Sequence, residues 1–174
     1  MKINLLRIVL LILLFGTFYI IFGFSSQDGE ESGGISSRVT EFILEKSNTY
    51  KNIEENRQDE IFERTEKIIR KIAHFSIYAL VGFLLMGLVS TFKLKEKNRI
   101  LISLILGVLY ATSDEIHQLF SPGRSAQITD VYIDTLGILV GIFVILLFIK
   151  IFEKMKLQKH KEKLTKNEYY NILY

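Results

Sequence analysis

Cysteine and tryptophan are absent from this chain, and proline occurs once, at Pro122. The missing cysteine excludes a disulfide, a thiolate metal site and a cysteine nucleophile, which removes a large part of the catalytic repertoire. It leaves the redox compartment undetermined. A strong charge of either sign is also lacking, since the net charge is only +3. Where the charges sit therefore matters more than their sum, and no nucleic-acid partner is expected. What the chain has in quantity is apolar mass: 49% of its 174 residues are hydrophobic. Mean hydropathy is +0.27. This is the composition of one small membrane domain.

Four apolar runs are long enough to cross a bilayer core, which takes about 20 residues. The first covers residues 5–24 and carries no charge after Arg7. A cleaved signal peptide competes for this stretch, because Lys2 and Arg7 make a basic start. The run is long for a signal h-region, however, and no clear small-x-small cleavage site follows it. The second run, 72–92, has His74 as its ionisable interruption, and the third, 100–120, turns polar only in its last two turns. The fourth, 131–152, is apolar apart from Asp134 and Lys150. The expected fold is all-α: a polytopic membrane protein with four transmembrane helices in a small bundle, forming a single membrane domain over residues 1–152. The connection 25–71 is polar, and Gly29 with Gly33-Gly34 marks a break in regular structure. Two amphipathic patterns follow, Ile35, Val39, Phe42 and Ile43 and then Ile61, Ile68, Ile69 and Ile72. They predict two helices lying on the membrane surface. Ser121-Pro122-Gly123 ends the third span, and the basic tail 153–174 is expected to be solvated and frayed.

Orientation follows from lysine and arginine. Lys2 and Arg7 flank the first span, Lys93, Lys95, Lys97 and Arg99 fill the second connection, and the tail is lysine-rich. These three places lie on one side if four helices cross, so both termini are expected to be cytoplasmic in a multi-pass protein of the cell membrane. Every unusual polar residue then falls at one depth, in the outer leaflet. Ser25, Ser26 and Gln27 end the first span, Arg70, Lys71 and His74 begin the second with Tyr78 a turn further, Asp114, Glu115, His117 and Gln118 end the third, and Asp130 and Asp134 begin the fourth. Charged groups beside membrane-length apolar runs are costly unless paired or facing a watery cavity, so a shared polar site is the economical reading. Helical spacing puts Asp114, His117 and Gln118 on one face, Asp130 and Asp134 on another, and Lys71, His74 and Tyr78 on a third. The bland alternative is a lock, Arg124 with Asp130 and His74 with a carboxylate. Gly137 and Gly141 form a G-x-x-x-G step, which favours close packing inside the bundle over a dimer face. A homo-oligomer is left open.

Three motifs carry a resemblance: F-S-S-Q at 24–27, R-K-x-A-H-F-x-x-Y at 70–78, and Y-A-x-x-D-E-x-H-Q-x-F-x-P-G-R at 110–124. With D-V-x-x-D-x-x-G-x-x-x-G at 130–141, the chain resembles the VanZ-like family. The family's namesake is a small integral membrane protein associated with low-level resistance to the glycopeptide teicoplanin, apart from the enzymes that rebuild the peptidoglycan terminus. The resemblance thus implies an envelope role and no particular reaction or cofactor. By position its characteristic polar residues are Gln27, Lys71, His74, Asp114, Glu115, His117, Gln118, Arg124, Asp130 and Asp134.

Two functions fit these residues. In the first, the protein binds or shields an anionic lipid-linked envelope component, precursor or polymer, with Lys71 and Arg124 holding phosphate or carboxylate and Gln118, Asp130, Asp134, Gln27 and Tyr78 completing the site. In the second, it is a hydrolase or transferase acting on such a lipid. His117 or His74 is then the general base, oriented by a carboxylate such as Asp114, with Glu115 beside it. A metal held by both histidines and two carboxylates is the weakest variant, for lack of a recognised ligand pattern.

Overall fold

The computed structural model describes residues 2–26, 29–120 and 127–173. Among the described residues every regular element is an α-helix: α1 (Lys2–Ser25), α2 (Gly29–Leu44), α3 (Asn48–Lys51), α4 (Glu55–Val89), α5 (Glu96–Gln118) and α6 (Ile128–Leu173). Helices α1, α4, α5 and α6 are each long and apolar enough to cross a membrane. The chain is an all-α polytopic bundle, as its four apolar runs predict.

The bundle is apolar outside and polar within. Leu5, Phe15, Leu109, Phe143 and many like them are exposed, while Thr17, Ser103, Asp114, Glu115, Gln118 and Asp134 are buried. In lipid, unlike water, exposed apolar side chains cost nothing and polar groups seek each other. A thin apolar core of Leu14, Tyr78, Val81, Leu85, Met86, Ile138 and Ile142 fills the middle. Helices α4 and α6 are pressed together by glycine. A Cβ on Gly82 would fall on the carbonyl of Ile138, one on Gly137 on the carbonyl of Phe75, and one on Gly141 on the carbonyl of Ala79. The G-x-x-x-G step is spent inside the bundle.

At one end Arg7 ties α1 to the end of α4, donating through Nε to Thr91 Oγ1 at 2.9 Å and through a terminal nitrogen to the Thr91 carbonyl at 2.8 Å. Its guanidinium lies 4.3 Å from the Phe92 ring centre. Lys150 meets Glu96 there at 3.4 Å. The candidate site lies at the other end.

Three expectations are corrected. The amphipathic segment around Ile61 is not a separate surface helix: it is the first part of α4, a single helix of 35 residues, about 52 Å long at 1.5 Å per residue. No glycine or proline occurs between Glu55 and Ala73 to stop it. Gly33-Gly34 does not break the chain either, because α2 runs through it from Gly29. Packing of α2 on α4, including a Ser36 hydroxyl donating to Glu66 at 2.8 Å, overrides the weak propensity of glycine. Nor is the tail frayed from 153 onward: α6 continues through it to Leu173, since lysine, glutamate, leucine and methionine are good helix formers. The expected break at Ser121-Pro122-Gly123 lies outside the described residues.

Helix α2 does behave as an amphipathic helix, with its faces reversed relative to a soluble protein. Ser36 and Thr40 are buried against the bundle, while Ile35, Val39, Phe42 and Ile43 are exposed. Arg38 and Glu41 are exposed as well, so the outer side of α2 mixes apolar and charged groups.

Candidate functional site

Asp114, near the end of α5, is the hub of the site. It is buried and accepts from Ser25 Oγ of α1 at 2.5 Å and from the Tyr78 hydroxyl of α4 at 2.9 Å. Gln118, one turn on, donates to Asp114 at 3.3 Å and to Ser25 at 3.1 Å. Three spans are thus joined through one carboxylate, which suits a group that must be satisfied inside a membrane bundle. Tyr110 lies close to this layer, its ring stacked 3.8 Å from that of Phe18 and its hydroxyl donating to the Phe18 carbonyl at 2.9 Å.

Helices α4 and α6 meet as a ladder. Lys71 pairs with Asp130 at 3.0 Å, and one turn deeper His74 Nδ1 faces Asp134 Oδ1 at 3.7 Å. The spacing of three on α4 and four on α6 keeps both rungs on facing stripes. The two rungs differ in kind. Lys71 and Asp130 retain 43% and 29% side-chain exposure, whereas Asp134 retains 2%. Both facing atoms of the deeper rung are buried, and neither has a hydrogen-bond partner among the described residues. The ring of His74 also lies 6.5 Å from that of Tyr78, linking the ladder to the Asp114 layer.

His117 and Glu115 leave that layer in opposite directions. On a helix Gln118 sits about 40° from Asp114, His117 about 60° to the other side and Glu115 about 100° round. The His117 ring packs on Phe22 of α1, with centres 4.5 Å apart, and its buried Nδ1 has no partner among the described residues. Glu115 is buried and accepts the backbone N–H of Gln127 at 2.5 Å, just ahead of α6. Asp114 therefore does not orient His117, contrary to the sequence expectation. The histidine that faces a carboxylate is His74, and the carboxylate is Asp134. Asp130 faces Lys71. Arg124, expected opposite Asp130, and Gln27 both lie outside the described residues. Among the described residues no three histidine, aspartate or glutamate side chains are grouped to share a metal ion, so His74 and His117 with two carboxylates do not form the set considered above.

A family model described as VanZ/LLP1 matches residues 8–150. The chain belongs to the VanZ/LLP1 family. The matched region contains the whole polar layer and ends inside α6, so the basic extension of this VanZ/LLP1 protein lies beyond it. No curated protein and no solved structure matches the chain.

Two residues that the topology places at this depth take parts in the site that spacing alone does not show. Ser25 is buried and touches both Asp114 and Gln118, yet in the sequence it is one small polar residue at the end of an apolar run. Arg70 borders a cavity together with His74. Both stand within the quoted motifs, F-S-S-Q and R-K-x-A-H-F, which was the available signal.

Proposed function

We propose that this VanZ/LLP1 protein is an envelope membrane protein that binds or shields an anionic lipid-linked component at the outer leaflet, and that it contributes low-level glycopeptide resistance in this way. The observation that carries the reading is the ladder of Lys71–Asp130 and His74–Asp134 beside a lipid-facing cavity that His74 lines. Lys71 is half exposed, so it can exchange Asp130 for a ligand phosphate, while the buried Asp134 holds the deeper rung in place. Arg124 adds a second cation by its place in the family motif.

A second reading has one specific observation in its favour. His74 directs Nδ1 at a buried carboxylate and borders a cavity, the arrangement that orients a general base. A hydrolase or transferase acting on a lipid-linked phosphate or ester would use the same residues, with Lys71 stabilising the charge on the reacting group.

The two readings separate by experiment. Envelope lipids are extracted from cells with and without the protein, and lipids co-purified in detergent are compared by mass spectrometry. For a binder, the anionic lipid is retained unaltered. His74→Asn weakens retention mildly, and Lys71→Gln weakens it roughly tenfold or more, as expected for a hydrogen bond to a charged group. For an enzyme, His74→Asn leaves lipid retention intact while turnover falls roughly 100-fold or more. A chemically altered envelope lipid that requires His74 would overturn the binder reading.

A further inference from the structure

A cavity of about 250 Å³ opens where the end of α1, the middle of α2 and the middle of α4 meet. Ile21, Ile35, Val39 and Ile69 make much of its wall, and Arg70 and His74 stand in it as cationic or titratable groups. Its size is below the roughly 300–1,000 Å³ of a site that encloses a whole small molecule, so it takes part of a ligand. The apolar wall selects an alkyl segment for that part.

The surroundings say where the segment comes from. Helix α2 turns Ile35 and Val39 outward, at 53% and 42% exposure, while burying Ser36 and Thr40. The cavity is the gap between this helix and α4, and its wall of Ile35 and Val39 is open at the surface of the bundle. Arg70 then supplies selectivity. Its buried Nε has no hydrogen-bond partner among the described residues. Its nearest carboxylate, Glu66 Oε1, is 3.7 Å away and already accepts from Ser36. A guanidinium with an unused buried donor, at the wall of an alkyl-sized slot, matches a phosphate ester.

We propose that this cavity seats one acyl chain of an anionic, phosphate-bearing lipid, with Arg70 contacting the headgroup phosphate. The proposal rests on the reading of the protein as a binder of an anionic lipid-linked component, and adds to it an acyl subsite and a residue that reads the headgroup. Lys71, the next residue, addresses α6 instead, so the two adjacent cations face two sides of α4.

The test uses the full chain in phosphatidylcholine vesicles containing a small fraction of phosphatidylglycerol with a photoreactive diazirine on one chain. Diazirine phosphatidylcholine in the same host is the counterpart. Labelled peptides are read by mass spectrometry. Label is expected on the peptides around Ile35–Val39 and Ile69–Ile77, roughly a few-fold stronger from phosphatidylglycerol, because phosphatidylcholine has the same phosphate but offsets its charge with the choline ammonium, and the difference is that of one partly exposed ion pair. Arg70→Gln should bring it to the phosphatidylcholine level, and added inorganic phosphate should not compete. Ala73→Phe, at an exposed position on the cavity wall, should fill the slot and remove label from both lipids there. Val39→Phe does the same from the opposite wall, so a folding failure of one variant leaves the other. Label spread evenly over α1, α5 and α6 would overturn the subsite, and equal labelling by the two lipids would overturn the role of Arg70. If the native protein retains an anionic envelope lipid and Ala73→Phe retains it equally, the acyl subsite fails while the binder reading stands. If the native protein retains none, the binder reading itself fails.

Discussion

Asp114 and His74 differ at the scale of single residues. Asp114 is buried with three donors on it, from Ser25, Tyr78 and Gln118, so its charge is met by groups that hold helices together. Tyr78→Phe removes one of those donors and leaves Asp114 Oδ2 with only the longer bond from Gln118. We predict a loss of about 0.5–1.5 kcal/mol, the net weight of one intramolecular hydrogen bond, read as thermal unfolding in detergent. His74 is different, because its facing nitrogen is buried without a hydrogen bond. Replacing it with glutamine should leave membrane abundance and unfolding temperature close to native while reducing any teicoplanin protection in a susceptible host, mildly for a binder and completely for an enzyme. If His74→Gln instead disappears from the membrane, the ladder is a lock and its functional role is lost.

At the scale of elements, the contact of α4 with α6 depends on side chains that are missing. Gly141→Ala drives a methyl group onto the Ala79 carbonyl, and neither backbone can retreat without separating the helices. The expected cost is about 1–3 kcal/mol or more, as for other overpacked sites. Gly16→Ala is the control, because nothing lies within 4 Å of its added carbon. It should be neutral or stabilising by up to about 1 kcal/mol, since alanine is the better helix former. Equal effects at the two positions would mean that the close α4–α6 approach does not hold in the membrane. Because the ladder lies on the same two helices, ligand retention should fall with Gly141→Ala and stay unchanged with Gly16→Ala.

For the whole molecule, the prediction concerns sidedness. The Arg7–Thr91 clasp and the Lys150–Glu96 pair sit at one end of the bundle, the polar layer at the other. Basic residues crowd the first end, in the connection after α4 and in the extension of α6, which should place that end in the cytoplasm. The chain has no cysteine, so single cysteines at Ser32, Asn98 and Asn167 can be labelled with an impermeant thiol reagent without background. Only Ser32 should react from outside intact cells. Reaction of Asn98 from outside would turn the polar layer toward the cytoplasm and end the proposal of an outer-leaflet ligand.

Hydrophobic length and residue spacing alone determined the number of spans and the facing stripes at Lys71–His74 and Asp130–Asp134, because a bilayer needs about 20 apolar residues and a helix repeats every 3.6. The family motifs were equally legible. Partnership was not. A helical wheel places Asp114, Gln118 and His117 within one broad face, but only neighbouring helices decide that the first two turn toward Ser25 and Tyr78 while His117 turns to Phe22. Helix length was likewise illegible at 55–70 and 153–173. Polar segments beside a span read as loops, yet α4 and α6 run on through them as single helices, because a continuous helix pairs its own backbone groups and needs no apolar face to do so. The reversed faces of α2 belong to the tertiary structure as well: its periodicity shows two faces, and only the packing of Ser36 and Thr40 on the bundle shows which one meets the protein.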